Sequence, residues 1–189
     1  MPVTAINAAC ALVAIDIQKG IVAIPAAHPL QGVIDNVVRL VEAFRAKGKP
    51  VVLVRVGWSK GGADALKTRV QQSQAVGDLP PQFSEYVEAL GADAERDILI
   101  LKHQWGAFYD TGLELQLRRR GITDIVLCGV ATSIGVESTA RDAFERAFNI
   151  TFASDAMTDR NAPAHDRALE LIFPRIGEIG TTDEILAKL

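Results

Sequence analysis

The chain has 189 residues, of which 49% are hydrophobic, and its formal net charge at pH 7 is −3. This length fits one domain, residues 1–189, and the even spread of charge argues against nucleic acid and membrane surfaces as partners. The start of the chain lacks the pattern of a secretory signal, and no apolar run reaches the roughly 20 residues of a membrane helix, so we expect a soluble cytoplasmic protein.

Short runs rich in valine, isoleucine and leucine alternate with longer amphipathic segments. We predict buried strands at these runs, which are residues 11–15, 50–56, 98–101, 125–128 and 150–153. Apolar residues recur at helical spacing in three segments, residues 33–47, 113–120 and 134–148. The alternation implies right-handed crossovers, and therefore an α/β, doubly wound, mostly parallel sheet with helices on both faces.

Two segments depart from this alternation. Residues 57–82 are polar, contain two glycine or proline pairs and show no period, which predicts a long excursion that serves as a lid or a subunit contact. The tail from Pro174 to Leu186 predicts a short last strand, a turn and a closing helix capped by Thr182 or Asp183.

Polar residues and a glycine-rich turn follow directly after three of the predicted strands. Asp16 ends the first run, Lys102 ends the third, and residues 129–135 follow the fourth. Because ligands bind at the carboxyl ends of parallel strands, we predict the functional site at this edge. Partial burial would make Asp16 a general acid, and Lys102 would hold Asp16 and bind a substrate carboxylate. The alternatives are an aspartate that caps a turn and a lysine that is merely solvated.

Further residues around this edge are candidates for substrate binding. The turn leads into a helix near Ile134, and its backbone N–H groups, with Thr132 or Ser133 as the cap, would favour an anionic group. The aromatic candidates are walls for a ring, although they could equally be core or interface residues. The full candidate set is Gln18, Trp58, Trp105, Phe108, Val130, Ala131, Thr132 and Ser133.

The cysteines and histidines give no sign of a metal or a disulfide. Cys10 and Cys128 lie in apolar runs, so we predict two reduced core residues. The three histidines lack the short spacing of a zinc site, and we expect neither a metal nor a cofactor.

The segment that follows the fourth strand carries a family resemblance. Residues 127–143, LCGVATSIGVESTARDA, together with Asp16 and Lys102, resemble the signature of isochorismatase-like hydrolases in the cysteine hydrolase superfamily. The resemblance spans nearly the whole chain and implies the strand order 3-2-1-4-5-6 and a cis peptide at Val130-Ala131. It also implies that Asp16, Lys102 and Gly135 occupy the catalytic positions, with glycine where most of the family has its nucleophilic cysteine.

The glycine determines which activity the resemblance implies. The branch that the family calls isochorismatases proper also has glycine there, and it hydrolyses a vinyl ether without a covalent intermediate. We therefore expect Asp16 to protonate the substrate, Lys102 and the turn amides to bind its carboxylate, and water to attack. The segment from Arg55 to Ser59 differs from that of the established isochorismatases, which argues against isochorismate itself.

Two alternatives remain at this point. One is an amide or imide hydrolase of the same fold with another nucleophile, for which Ser133 and Cys128 lie nearest in sequence. The other is a small-molecule binding protein without turnover. In each case the expected partners are a small-molecule substrate or ligand and further copies of the chain in a homo-oligomer, a dimer or larger.

Overall fold

The computed structural model describes residues 3–72 and 76–189, so Met1, Pro2 and part of the predicted excursion, residues 73–75, lie outside the described residues. A six-stranded sheet spans the chain, and its strands are β1 (Cys10–Ile15), β2 (Val51–Val56), β3 (Ile98–Lys102), β4 (Asp124–Val130), β5 (Asn149–Thr158) and β6 (Glu178–Gly180). Their order is β3-β2-β1-β4-β5-β6, and each neighbouring pair is parallel. The predicted doubly wound sheet and its order are confirmed.

Helices cover both faces of the sheet, as predicted. They are α1 (Lys19–Val22), α2 (Leu30–Ala46), α3 (Leu113–Arg119), α4 (Glu137–Glu145), α5 (Ala162–Arg167) and α6 (Thr182–Leu186). Two apolar clusters share the buried strand residues between them. One cluster also contains residues of α3 and α4, and the other contains residues of α2 and α6. None of the helices in the described ranges is long and apolar enough to cross a membrane.

Several boundaries differ from the predicted ones because tertiary contacts override local pattern. The predicted helix at residues 134–148 is divided into a π-helical turn, Thr132–Val136, and α4. The short helices α1 and α5 were not predicted, since neither presents a helical period of useful length. The cap of α6 is Thr181, not Thr182 or Asp183, and Thr181 forms a capping box with Glu184.

The segment between β2 and β3, residues 57–97, includes the predicted excursion, residues 57–82, and continues for 15 residues beyond it. We call the whole segment the excursion, and it is fastened to the body of the protein. It contains two single 3-10 turns, Lys60–Gly62 and Glu88–Leu90, and its Tyr86 forms an isolated antiparallel bridge with Gln18. The Tyr86 hydroxyl also donates to the carbonyl of Leu53 in β2. This part of the excursion is therefore held at the edge where β1 and β2 end.

Strands β1 and β4 approach each other closely near that edge. Gly129 has a φ of 120°, and a Cβ atom there would lie 2.1 Å from the carbonyl oxygen of Ile15. Only glycine permits this approach, which aligns the end of β1, and with it Asp16, against the end of β4.

A candidate active site at the carboxyl edge of the sheet

Asp16 follows β1 in a backbone conformation that turns its side chain into the protein. Its φ is 53°, a left-handed value that aspartate tolerates better than most residues, and its N–H donates to the carbonyl of Val54. Oδ2 accepts a hydrogen bond of 2.8 Å from Lys102 Nζ, whereas Oδ1 is buried without a partner among the described residues. One carboxylate oxygen is thus committed to the lysine, and the other is left for a ligand or a proton.

Lys102 reaches this carboxylate from the end of β3, two strands away. Lys102 is only 1% exposed, and its Nζ also donates to the carbonyl of Trp105 at 2.7 Å. An ammonium group carries three donors, and these two bonds are the ones that the described residues provide. A third N–H therefore remains for another acceptor.

Gly135 packs directly against this pair. A Cβ atom at position 135 would lie 3.3 Å from Asp16 Oδ2, 3.3 Å from Lys102 Nζ and 3.0 Å from Ile15 Cγ2. The structure thus brings Asp16, Lys102 and Gly135 together at one point. Any side chain at position 135 would touch both charged groups, and glycine avoids that contact.

The carboxyl group of Asp16 binds its proton more tightly in the protein than it would in water. Burial raises the pKa of Asp16 to about 6, and the charge and hydrogen bond of Lys102 oppose the rise without cancelling it. Desolvation therefore outweighs the ion pair. A pKa of about 6 lets the carboxyl group act as an acid or as a base near neutral pH.

The turn after β4, residues 131–136, which we call the β4 turn, differs in part from the predicted one. The peptide between Val130 and Ala131 is cis, as the family resemblance implied. Neither Thr132 nor Ser133 caps the helical turn: the cap position is Ala131, without a side-chain hydrogen bond. Val130 is itself 5% exposed within the core.

Three of the amides of the β4 turn that were expected to face the substrate are already bonded. Ser133 donates its N–H and its hydroxyl to Asp159 Oδ2, at 2.7 Å and 2.8 Å. The N–H groups of Ile134 and Val136 donate to the carbonyl of Ala131. The prediction that several free amides of this turn point at the edge is therefore wrong for these three, and Lys102 is the better anchor for a carboxylate.

Thr139 links the β4 turn to the loop that follows Lys102. Its hydroxyl is fully buried, donates to the carbonyl of Gly135 at 2.7 Å and accepts from the N–H of Ala107 at 3.1 Å. One side chain of α4 therefore fixes the glycine and the 103–108 loop relative to each other.

Gln18 was predicted to bind substrate, but the structure gives it another role. The residue is completely buried, its amide nitrogen donates to the carbonyls of Val56 and Phe83, and its oxygen accepts the N–H of Val56. Both donors are consumed by backbone groups. Gln18 joins β2 and the excursion to the end of β1 rather than contacting a ligand.

The three aromatic candidates lie in different environments. Phe108 is 5% exposed and packs on Phe148 with ring centroids 5.6 Å apart, so it is a core residue and not a wall of the site. Trp58 is half-buried and donates its indole N–H to the carbonyl of Gly77. Trp105 is 60% exposed while its carbonyl binds Lys102, so of the three it is the one tied directly to the site.

Neither cysteine offers a reactive thiolate. Cys10 and Cys128 are unpaired and buried, as predicted, and burial raises the pKa of each thiol to about 12. The nucleophile in any hydrolysis at this site is therefore not one of these thiols.

Three residues that position the site were not predicted from the sequence. Asp159 follows β5, His165 lies in α5, and Thr139 lies in α4, and each bonds to the β4 turn. Asp159 follows β5, but the predicted run ended at residue 153, five residues before the end of β5, so the sequence did not mark Asp159 as the end of a strand. The other two depend on long-range packing that no local pattern reveals.

The site is nearly closed in this conformation. Asp16 is 6% exposed, and two clefts of about 340 Å³ lie elsewhere, one around Arg45 and Asp97 and one around Lys19 and Glu88. Neither cleft is bordered by Asp16, Lys102 or Gly135. Entry of a substrate therefore requires movement of the segments that cover the carboxyl edge.

Comparisons with known proteins agree with the fold. The family model for the isochorismatase domain matches residues 10–184. YecD of Escherichia coli O157:H7, an isochorismatase family protein, is 48% identical over 180 residues, which are 95% of this chain and 95% of that protein. The solved structure of an isochorismatase family protein from Burkholderia thailandensis has a TM-score of 0.94 and 43% identity, and the match covers 100% of this chain and 98% of that one.

A more distant relative is named for its reaction. The ureidoacrylate amidohydrolase RutB of Methylobacterium radiotolerans is 32% identical over 174 residues, which cover 82% of this chain and 67% of that protein.

Proposed function

The chain belongs to the isochorismatase family of hydrolases, and we propose that it cleaves an enol ether of a small carboxylate-bearing metabolite without a covalent intermediate. The observation that carries this proposal is the absence of a side chain at Gly135, whose Cβ position would lie 3.3 Å from both Asp16 Oδ2 and Lys102 Nζ. With no side chain at this point and both cysteine thiols buried, the nucleophile of this proposal is water.

The proposed reaction begins with proton transfer to carbon. The proton on Asp16 Oδ1 passes to the methylene carbon of the enol ether, and the adjacent carbon becomes an oxocarbenium ion. Oδ1 suits this step because it has no other partner among the described residues, while Lys102 holds Oδ2 in place. A positioned acid of this kind contributes about 10²- to 10⁴-fold to the rate.

Water then completes the hydrolysis. It adds to the oxocarbenium carbon and returns a proton to Asp16, and the resulting hemiketal separates into an alcohol and a keto acid, which is pyruvate for an enolpyruvyl ether. The remaining N–H of Lys102 binds the substrate carboxylate, and the ionised Asp16 stabilises the cation while it exists.

The direction of the pH dependence tests this mechanism. If protonated Asp16 is the acid, kcat/KM falls as the pH rises through about 6, the pKa of Asp16 in the folded protein. The assay is pyruvate release from a panel of enolpyruvyl ethers across this range. A rate that instead rises with pH through the same midpoint would contradict the acid role.

A second candidate is hydrolysis of an amide by water, with ionised Asp16 as the base. The likeness to RutB favours it, because that relative is named an amidohydrolase. This candidate predicts release of ammonia from ureido or amide substrates and a rate that rises with pH through about 6. Saturable binding without either product would instead indicate a binding protein.

A further inference from the structure

Two side chains from other elements hold the β4 turn in place. Thr132 Oγ1 lies 2.8 Å from His165 Nδ1 in α5, and Ser133 bonds twice to Asp159. Thr132 is completely buried, and Asp159 and His165 are 2% and 5% exposed. These contacts are polar and shielded from water, so their geometry matters more than that of surface hydrogen bonds.

Gly135 lies three residues after Thr132 within the same short turn. The N–H groups of Ile134 and Val136 both donate to the carbonyl of Ala131, which ties the two ends of the turn together. Small shifts of Gly135 change its contacts with the site, because a Cβ atom built on it would lie 3.3 Å from both Asp16 Oδ2 and Lys102 Nζ. A displacement at Thr132 therefore reaches the site through the backbone.

The contact between Thr132 and His165 depends on the protonation of the ring. Among the described residues, His165 is the hydrogen-bond partner that the structure gives to the Thr132 hydroxyl. With a neutral ring, that hydroxyl can donate to Nδ1. A protonated ring has donors at both nitrogens, so Nδ1–H would instead donate to Thr132 Oγ1, and the hydroxyl proton would need a different acceptor in a fully buried place.

Burial, more than the surrounding charges, favours the neutral ring of His165. Burial and the neighbouring His28 ring, whose centroid is 4.7 Å away, lower the pKa of His165 below its ordinary value of 6.5. His28 comes from the loop before α2. Asp159 after β5 and Asp166 in α5 act in the opposite direction.

We propose that His165 is a positioning residue of the Asp16–Lys102 site: its hydrogen bond with Thr132 positions Gly135, and protonation of the ring reverses the direction of that bond and displaces Gly135. The predicted effect of His165 on turnover rests on the proposed function. The movement of Gly135 with the charge of His165 does not depend on which substrate is hydrolysed.

NMR titration measures the coupling without a substrate. The ring protons of His165, the carboxyl carbon of Asp16 and the amide of Gly135 are followed from roughly pH 5 to pH 8. We expect the Gly135 amide to show a step at the midpoint of His165, separate from the step that follows Asp16. A Gly135 amide that follows Asp16 alone would overturn the proposal.

Variants show whether the step passes through the Thr132 hydroxyl. Thr132→Val should remove the His165-linked step and Thr132→Ser should keep it, whereas the matched control Thr151→Val, at a threonine near the other end of β5, should leave both steps intact. If the step persists in Thr132→Val, the proposal is wrong.

Turnover supplies an independent readout. His165→Leu should lower kcat by about 10-fold or more, and His165→Asn, whose amide can stand near the Nδ1 position, should recover most of that loss without titrating. If His165→Leu does not fold, the two threonine variants decide the question. A preserved NMR step without hydrolysis of any enol ether would refute the proposed function and leave the coupling intact.

Discussion

At the scale of single residues, the two oxygens of Asp16 have different tasks. Oδ2 is held by Lys102 at 2.8 Å, and Oδ1 is buried without a partner among the described residues. Because the carboxyl group is fixed at one oxygen, the proton at the other has a defined direction. A solvated carboxyl group would have neither the orientation nor the raised pKa.

Replacing Asp16 with asparagine should remove the transferable proton and keep the shape of the side chain. We expect Asp16→Asn to lower kcat by at least about 10²-fold, the lower edge of general acid catalysis. Lys102→Ala is the informative comparison, since it should raise KM as well as lower kcat by removing the carboxylate anchor. Steady-state kinetics on the substrate found by screening measures both. Wild-type kcat in Asp16→Asn would show that the proton donor has been misassigned.

Thiol reagents should leave activity unchanged. Cys10 and Cys128 are buried, and burial raises the pKa of each thiol to about 12, so almost no thiolate exists at neutral pH. Mass spectrometry after treatment with iodoacetamide should show an unlabelled native protein with full turnover. Stoichiometric labelling of Cys128 with loss of activity would make that thiol the suspected nucleophile.

At the scale of elements, the site depends on how closely β1 and β4 approach. Gly129→Ala would place a Cβ atom 2.1 Å from the Ile15 carbonyl oxygen at a φ of 120°. We expect the free energy of unfolding to fall by about 3 kcal/mol or more, from backbone overlap and an unfavourable dihedral angle together. Urea unfolding measures the change.

Gly32→Ala is the matched control for that experiment. Gly32 lies inside α2, and a Cβ atom there meets nothing within 4 Å. Alanine should therefore raise the free energy of unfolding by about 0.5–1 kcal/mol. Equal effects of the two substitutions would contradict the close approach of β1 and β4.

The parallel order of the strands explains which parts of the site were predictable. Asp16, Lys102 and the β4 turn each follow a strand, and the carboxyl ends of parallel strands share one edge, so their meeting follows from the element order. Gln18 also follows β1, yet its amide bonds to Val56 and Phe83, which only the folded excursion brings near. Thr132 and His165 are 33 residues apart in the sequence. His165 lies in α5, whose residues show no helical periodicity from which the helix could be predicted.

At the scale of the whole molecule, Asp16 should cost stability at neutral pH. Its pKa is about 6 in the folded state and 3.8 as an ordinary aspartate, so between these values the folded state binds more protons than the unfolded state. The free energy of unfolding therefore decreases as the pH rises through this window. His165 acts in the opposite sense, because its lowered pKa favours folding as the pH rises toward 6.5.

Comparison with Asp16→Asn isolates the aspartate contribution. The free energy of unfolding of the wild type, relative to the variant, should fall by roughly 2 kcal/mol between pH 4 and pH 7, since each unit of pKa shift is about 1.4 kcal/mol. Urea unfolding of both proteins at several pH values gives this difference. A difference that is independent of pH would mean that Asp16 titrates normally in the folded protein.

The assembly of the molecule remains a prediction. We expect a homo-oligomer, a dimer or larger, and sedimentation velocity would measure it directly. A monomer at micromolar concentration would contradict this expectation.

The hydroxyl of Thr139 has a kinetic consequence. Because it binds both the Gly135 carbonyl and the Ala107 N–H, the 103–108 loop cannot swing outward without loosening the residue that shapes the reaction volume. If substrates enter by displacing that loop, the open form cannot react, and each catalytic cycle must pass through a closed form with a single geometry. The loop would then have to close before each reaction and open before each product leaves. A slow opening would therefore limit turnover even where proton transfer is fast.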